Sequence, residues 1–346
     1  MRVLAGLATG AFLAFSTLGA VAADISGAGA TFPYPIYAKW ADAYKKETGI
    51  GLNYQSIGSG GGIKQIVART VTFGASDAPM TAEDLDKNGL VQWPMIMGGV
   101  VPTVNIPGVE PGKLVLSGKL IGEIYLGNIE SWNDPQIKAL NPSLELPDLA
   151  IAPVYRSDGS GTNFLFTTFL SNADADFKSQ IGANASVQWP AGIGAKGNEG
   201  VANTVKQTQG AIGYVEYAYV KQNKMAYAAL VNDAGKVVSP TAETFQAAAA
   251  NADWSSAPGM YLVLTNQPGE LSWPITGASF ILMPKEPQDA AAAATALEFF
   301  DWAYAKGGAM ADELDYVPMP APVQEQVKAL WKANIQADGK PLGAMN

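Results

Sequence analysis

The chain has 346 residues, 48% hydrophobic and 15% charged, with a formal net charge of −9 and neither cysteine nor histidine. That composition fits a compact globular protein. It excludes disulfides, thiolate nucleophiles, cysteine or histidine zinc sites and a Ser-His-Asp triad. The acidic balance argues against a nucleic-acid partner, and any anion site has to work at short range through aimed hydrogen-bond donors.

In chain order, Met1-Arg2 is followed by an uncharged, small and apolar stretch from Val3 to Leu18 and then by Ala20-Val21-Ala22-Ala23. This pattern predicts a signal peptide over residues 1–23, cut after Ala22 or Ala23, and hence a soluble, exported protein. The remaining roughly 320 residues are enough for two domains. Short apolar strands alternate with amphipathic helices, the pattern of an α/β fold. Pro33 and Pro35 open a helix over 33–48, with Ile36, Tyr37, Trp40, Ala41 and Tyr44 on one face and Gly49 ending it. Leu52–Ile57 reads as a strand, Gly58–Gly62 as a turn, and Ile63, Ile66 and Val67 as the face of a second helix. Phe73–Ser76 is a short strand leading into Asp77-Ala78-Pro79. Met95–Asn105 reads as a buried strand or crossing segment. Ile151–Tyr155 is a strand, Phe164–Leu170 a helix, and Ala211–Val215 and Ser279–Met283 are later strands. Two helices, over 289–305 and 322–335, close the chain.

Four stretches carry the chemistry: "SGAGATFP" (26–33), "QSIGSGGGIKQ" (55–65), "FGASDAP" (73–79) and "YRSDGSGTNF" (155–164). Three place small residues just before a helix, where unpaired N–H groups and a partial positive charge suit an anion. Capping explains any one such turn alone; three in one chain, beside Arg156, favour an oxyanion site. Asp158 is placed to hold the Arg156 guanidinium, while Ser160, Gly161 and Thr162 supply hydroxyls and N–H groups. "GSGGGIK" lacks the Gly-Lys-Ser/Thr ending of a P-loop. "GIGAKG" (192–197) matches a dinucleotide fingerprint but follows no strand and reads as a plain loop. A Ser160 nucleophile is the enzyme alternative. Without histidine its base would have to be a carboxylate or a lysine, and only Lys64 lies on the facing turns.

With "GAGATFP", "FGASDAP", "R-DGSGT", "KGNEG", "GAIGYVEYAY" and "WPITG-SFIL", the sequence resembles the PstS family, the periplasmic phosphate-binding proteins of phosphate ABC importers. The resemblance covers nearly all of the mature chain. It implies a type II-like, two-lobe periplasmic binding protein with a hinged interdomain cleft. Lobe one would hold residues 24–103 plus 276–346, and lobe two 104–275. It implies inorganic phosphate as ligand, an inner-membrane ABC permease as partner, a monomer, and no catalytic activity, metal or cofactor. Carried over residue by residue, the phosphate contacts would be Thr31, Phe32 through its backbone N–H, Ser59, Asp77, Arg156, Ser160, Gly161 and Thr162, with Asp158 behind Arg156. The family often has a serine where this chain has Gly60. A carboxylate at Asp77 suits a ligand that carries a proton: phosphate is an O–H donor and sulfate is not. Another oxyanion remains the alternative ligand.

Overall fold

The computed structural model describes residues 24–250 and 252–342; the expected signal peptide lies outside the described residues. The chain opens with three short strands: β1 (Ile25–Gly29), β2 (Leu52–Ser56) and β3 (Phe73–Ser76). They pair in parallel in the order β2-β1-β3, with helices Tyr34–Thr48 and Ser59–Val67 between them. The first helix ends where the sequence places its stop, at Gly49, which takes the left-handed conformation at φ 80°.

The second helix starts earlier than the predicted turn allows. It begins at Ser59 and runs straight through Gly60, Gly61 and Gly62. Packing overrides the poor helix propensity of glycine here. A Cβ on Gly62 would stand 2.5 Å from Gly29 Cα and 2.6 Å from the Ala28 carbonyl oxygen. Gly62 therefore lets the helix lie directly on the backbone of β1, while Gly61 faces the Ile57 side chain and Gly60 faces Gly159.

Next comes β4 (Leu90–Val104), fifteen residues buried throughout. Its first part pairs antiparallel with β11 (Thr276–Pro284), which in turn pairs antiparallel with β3. Pro94 cannot donate to the ladder, and the β4–β11 register shifts between Ser279 and Phe280. The last residues of β4, Val100–Val104, belong to a second group of strands. That group comprises β5 (Leu114–Ser117), β6 (Ala152–Arg156), β7 (Ile193–Ala195), β8 (Ala211–Glu216), β9 (Ala226–Val231) and the short β10 (Val237–Val238). Here β4 pairs with β8 and β9, β8 with β6, and β6 with β7. The "GIGAKG" stretch is thus not a plain loop: Ile193–Ala195 is an edge strand, and Gly197 starts the helix Gly197–Gln207. Three residues of strand, one of them glycine and preceded by another, carry too little apolar pattern to be read from sequence.

Two lobes result, joined where β4 passes from one strand group to the other and where Trp273–Thr276 leads into β11. The Trp273 indole N–H donates to the Val100 carbonyl at 2.9 Å. Gly99 stands beneath Phe245, where a Cβ would lie 2.1 Å from the ring. The segment around residues 254–260 packs on the first strand group: Trp254 meets Phe280 with ring centroids 6.0 Å apart, and Gln92 donates to the Gly259 carbonyl. The helices Ala290–Lys306 and Ala321–Asn334 cover the same group through Phe300 and Trp331, both in edge contact with the buried Trp93.

Candidate functional site

Parallel strands end together in an α/β sheet, and ligands bind beyond their carboxyl ends. Thr31 and Phe32 follow β1, Ser59 follows β2, Asp77 follows β3, and Arg156 ends β6. Ser160 caps the helix Gly161–Ala173, accepting the Asn163 N–H at 3.0 Å. The fold brings all these sequence-predicted residues to one place between the lobes. Thr31, Phe32, Ser59, Asp77, Arg156, Ser160 and Thr162 are all buried there.

The lobes are in contact across this cleft. Gly60 donates its N–H to the Gly159 carbonyl at 2.9 Å, and Gly161 donates to Ser59 Oγ at 3.0 Å. The approach at Gly161 leaves no room for a side chain, and that at Gly60 is tight. A Cβ on Gly161 would stand 2.5 Å from Asp77 Cβ, and one on Gly60 would stand 3.1 Å from Gly159 Cα.

Arg156 supplies the cation. Its Nε and Nη2 donate to the two Asp158 oxygens at 2.8 and 2.6 Å. A paired, doubly bonded guanidinium is fixed in its plane. Burial pushes the Asp158 carboxyl up, but the Arg156 bonds and charge and the Gly197 N–H outweigh it and hold the group below the usual carboxylate range. The remaining nitrogen, Arg156 Nη1, is buried without a hydrogen-bond partner among the described residues. So is one oxygen of the acid across the cleft, Asp77 Oδ1. Burial pushes the Asp77 carboxyl up to about 7, against the pull of Ser279, of the Arg156 charge and of Ser59. A buried donor and a buried acceptor, each unsatisfied, mark a place built for something else to occupy.

Proton counting shows what kind of ligand the hydroxyls expect. Thr31 Oγ1 accepts from the Asn198 backbone N–H at 3.1 Å and from Asn198 Nδ2 at 2.6 Å. Both lone pairs are then used, and the Thr31 proton is free to be donated. Ser59 Oγ likewise accepts twice, from the N–H groups of Asp77 and Gly161. The second Asn198 amide proton goes to Thr162 Oγ1 at 3.1 Å, and Asn198 Oδ1 accepts the Glu216 N–H, which sets the amide's orientation. Thr31 and Ser59, each accepting twice, are held as donors; Ser160 and Thr162 each accept once, and Asp77 is the carboxylate among them.

The Phe32 backbone is aimed in the same way. Tyr219 donates its hydroxyl to the Thr31 carbonyl at 2.6 Å. In a planar trans peptide the N–H points opposite to the C=O. Anchoring the Thr31 oxygen on Tyr219 therefore turns the Phe32 N–H away from Tyr219. At the cleft mouth, Lys196, Gly197 and Glu199 line a cavity of about 320 Å³ with Thr31, Ser56, Ile57 and Asp158.

The sequence motifs alone assign no role to Asn198 and Tyr219, although both lie in the quoted "KGNEG" and "GYVEYAY" stretches. Tyr214 is a third such residue. It accepts the Arg156 N–H and donates to Asn163 Oδ1, tying β6 to the capped helix.

Comparison with known proteins places the chain in a family and gives its fold. A family model described as a PBP superfamily domain matches residues 16–306. The phosphate-binding protein PstS of Haemophilus influenzae is 56% identical over 317 residues, covering 92% of this chain and 95% of the relative. The phosphate-binding protein PstS of Xylella fastidiosa is 53% identical, covering 90% and 86%. Among solved structures, a phosphate-binding protein from Stenotrophomonas maltophilia has the same fold, with a TM-score of 0.69 and 22% identity over 92% of this chain and 97% of its own. A high-affinity periplasmic phosphate-binding protein bound with phosphate at pH 8.5 superposes with a TM-score of 0.72 at 21% identity, covering 91% and 96%.

Proposed function

This chain belongs to the PstS family of phosphate-binding proteins, and from that premise we propose that it holds inorganic phosphate in the interlobe cleft and delivers it to an inner-membrane ABC importer. Its task is binding and release outside the cytoplasm, not turnover. Residues 1–23 would direct export and be cleaved, and the mature protein would act as a monomer. Residues 24–103 with 276–346 would form one lobe and 104–275 the other, the stretch near Trp254 riding on the first.

The observation that carries the reading is the pair of unsatisfied buried atoms, Arg156 Nη1 and Asp77 Oδ1, among hydroxyls of which Thr31 and Ser59 are preset as donors. Where Asp77 is ionised, a fully ionised oxyanion would satisfy the arginine and the hydroxyls but face the carboxylate lone pair to lone pair. Phosphate carries an O–H in both of its forms near neutral pH. That hydroxyl donates to Asp77, while its other oxygens accept from Arg156, Thr31, Ser59, Ser160, Thr162 and the N–H groups of Phe32 and Gly161. The Gly161 N–H, bonded to Ser59 Oγ across the closed cleft, would turn from that oxygen to the ligand. Sulfate, with no proton to give, leaves the carboxylate unpaired, a mismatch that a polar site rejects strongly.

Ser160 does not favour the hydrolase alternative, because its hydroxyl caps the helix. Equilibrium dialysis of phosphate-stripped protein against radiolabelled phosphate, run beside a chromogenic phosphate ester, tests the proposal. One phosphate retained per chain with no ester turnover is expected; ester hydrolysis lost in Ser160→Ala would overturn it.

A further inference from the structure

Glu216 ends β8 opposite Val100, where β4 crosses between the lobes, and its side chain is fully buried. Phosphate binding as described makes no use of its carboxyl. Glu216 Oε2 accepts the Ala218 N–H at 2.9 Å and lies 2.8 Å from the Tyr316 hydroxyl. The same hydroxyl lies 2.6 Å from the Phe32 carbonyl oxygen. Tyr316 is brought there by the strand pair of Val317 and Pro318 with Met97 and Ile96 of β4.

A phenol has one proton and a carbonyl has none. Were Glu216 ionised, Tyr316 could serve only one of its two acceptors, and the other contact would set lone pair against lone pair. A single proton on Glu216 Oε2 removes the conflict. Glu216 then donates to Tyr316, Tyr316 donates to Phe32, and Oε2 still accepts from Ala218. The other oxygen, Oε1, is buried without a hydrogen-bond partner among the described residues. It lies over Gly98, where a Cβ would stand 3.2 Å from it and 3.1 Å from the Phe32 ring. Isolation of that kind is far less costly for a neutral carbonyl oxygen than for a charged carboxylate.

We infer that Glu216 is a neutral carboxylic acid in the folded protein and a positioning residue for the anion site, heading a proton-ordered chain from Glu216 through Tyr316 to Phe32. The chain joins the second lobe to the segment of the first that carries the Phe32 backbone donor, so its effect on affinity rests on the proposed phosphate reading. Burial holds the Glu216 carboxyl well above its usual range; Tyr316 and the N–H groups of Ala218 and Tyr217 pull it down, and the Asp77 charge pushes it further up. The other titratable groups facing it are Tyr217 and Tyr219, both phenols that burial also pushes up.

The test is carbon NMR of the stripped protein labelled at the glutamate carboxyl, a label that leaves Asp77 silent. One glutamate resonance is expected to stay at the protonated position from about pH 5 to about pH 8 while exposed glutamates titrate near their ordinary values. The isotope-edited infrared band of that neutral acid should vanish in Glu216→Gln and shift in Tyr316→Phe, whose acid has lost its acceptor. Tyr316→Phe should also weaken phosphate binding about tenfold, the loss of one buried hydrogen bond. A spectrum in which every glutamate is ionised at pH 7 overturns the inference, and needs no variant to fold. A persistent neutral acid with unchanged phosphate affinity in Tyr316→Phe overturns the positioning role. Failure of the wild-type protein to bind phosphate would fall on the proposed function instead, and the carbon spectrum would still decide the protonation of Glu216.

Discussion

Replacing Asp77 by asparagine should change how stability responds to pH. The folded carboxyl holds its proton up to about 7, against an ordinary 3.8, chiefly because it is buried. Between those two values the folded state binds more protons than the unfolded chain, so stability falls as pH rises through that window. Below about pH 4 both states are protonated and the cost vanishes; above about pH 7 it is complete. At about 1.4 kcal/mol per pH unit, the difference amounts to about 4 kcal/mol. An asparagine in its place has no such titration. Urea unfolding of phosphate-stripped wild type and Asp77→Asn, from about pH 4 to about pH 8, isolates the effect as a difference between two curves. The variant should gain on the wild type by up to about 4 kcal/mol across the window. Parallel curves would mean that Asp77 is solvated or paired in the ligand-free protein, and the case for its acceptor role would go with them.

Other substitutions probe the donors. Arg156→Lys keeps the charge but loses the fork that grips Asp158 and aims Nη1, and phosphate dissociation should rise about tenfold to a hundredfold by titration calorimetry. Asn198→Ala frees the Thr31 and Thr162 hydroxyls to rotate and leaves the buried Glu216 N–H without its acceptor; affinity should drop about tenfold and the unfolding midpoint should fall as well, whereas an unchanged affinity would show that the hydroxyls orient without it. Gly161→Ala puts a methyl group into Asp77. It should cost at least about 1–3 kcal/mol of closure, seen as weaker phosphate binding and, by small-angle scattering, a more open phosphate-bound form.

Much of this was legible in the sequence because the binding turns combine local signals: a strand, a small-residue turn and a helix start. Arg156, Asp158 and Ser160 sit within five residues, and their bidentate pair and helix cap follow from local geometry. The helix through Gly60–Gly62 was not legible, since Gly62 packs on β1 and Gly60 on Gly159, both distant in sequence. Asn198 escaped for a similar cause. Its partners Thr31 and Thr162 lie 167 and 36 residues away, and an asparagine at a helix start reads as an ordinary cap. The Glu216–Tyr316 contact spans 100 residues and both lobes. A lone glutamate at the end of an apolar strand gives no sign that it is buried or neutral.

On the proposed function, this cleft holds a protonated oxyanion against Asp77. Isothermal titration of the stripped protein with phosphate, then with sulfate at equal concentration, tests it most directly. One-to-one binding of phosphate with no heat from sulfate is the predicted result. Comparable binding of sulfate would leave an anion site in place but contradict the role of Asp77, and binding of neither would contradict the assignment of the ligand.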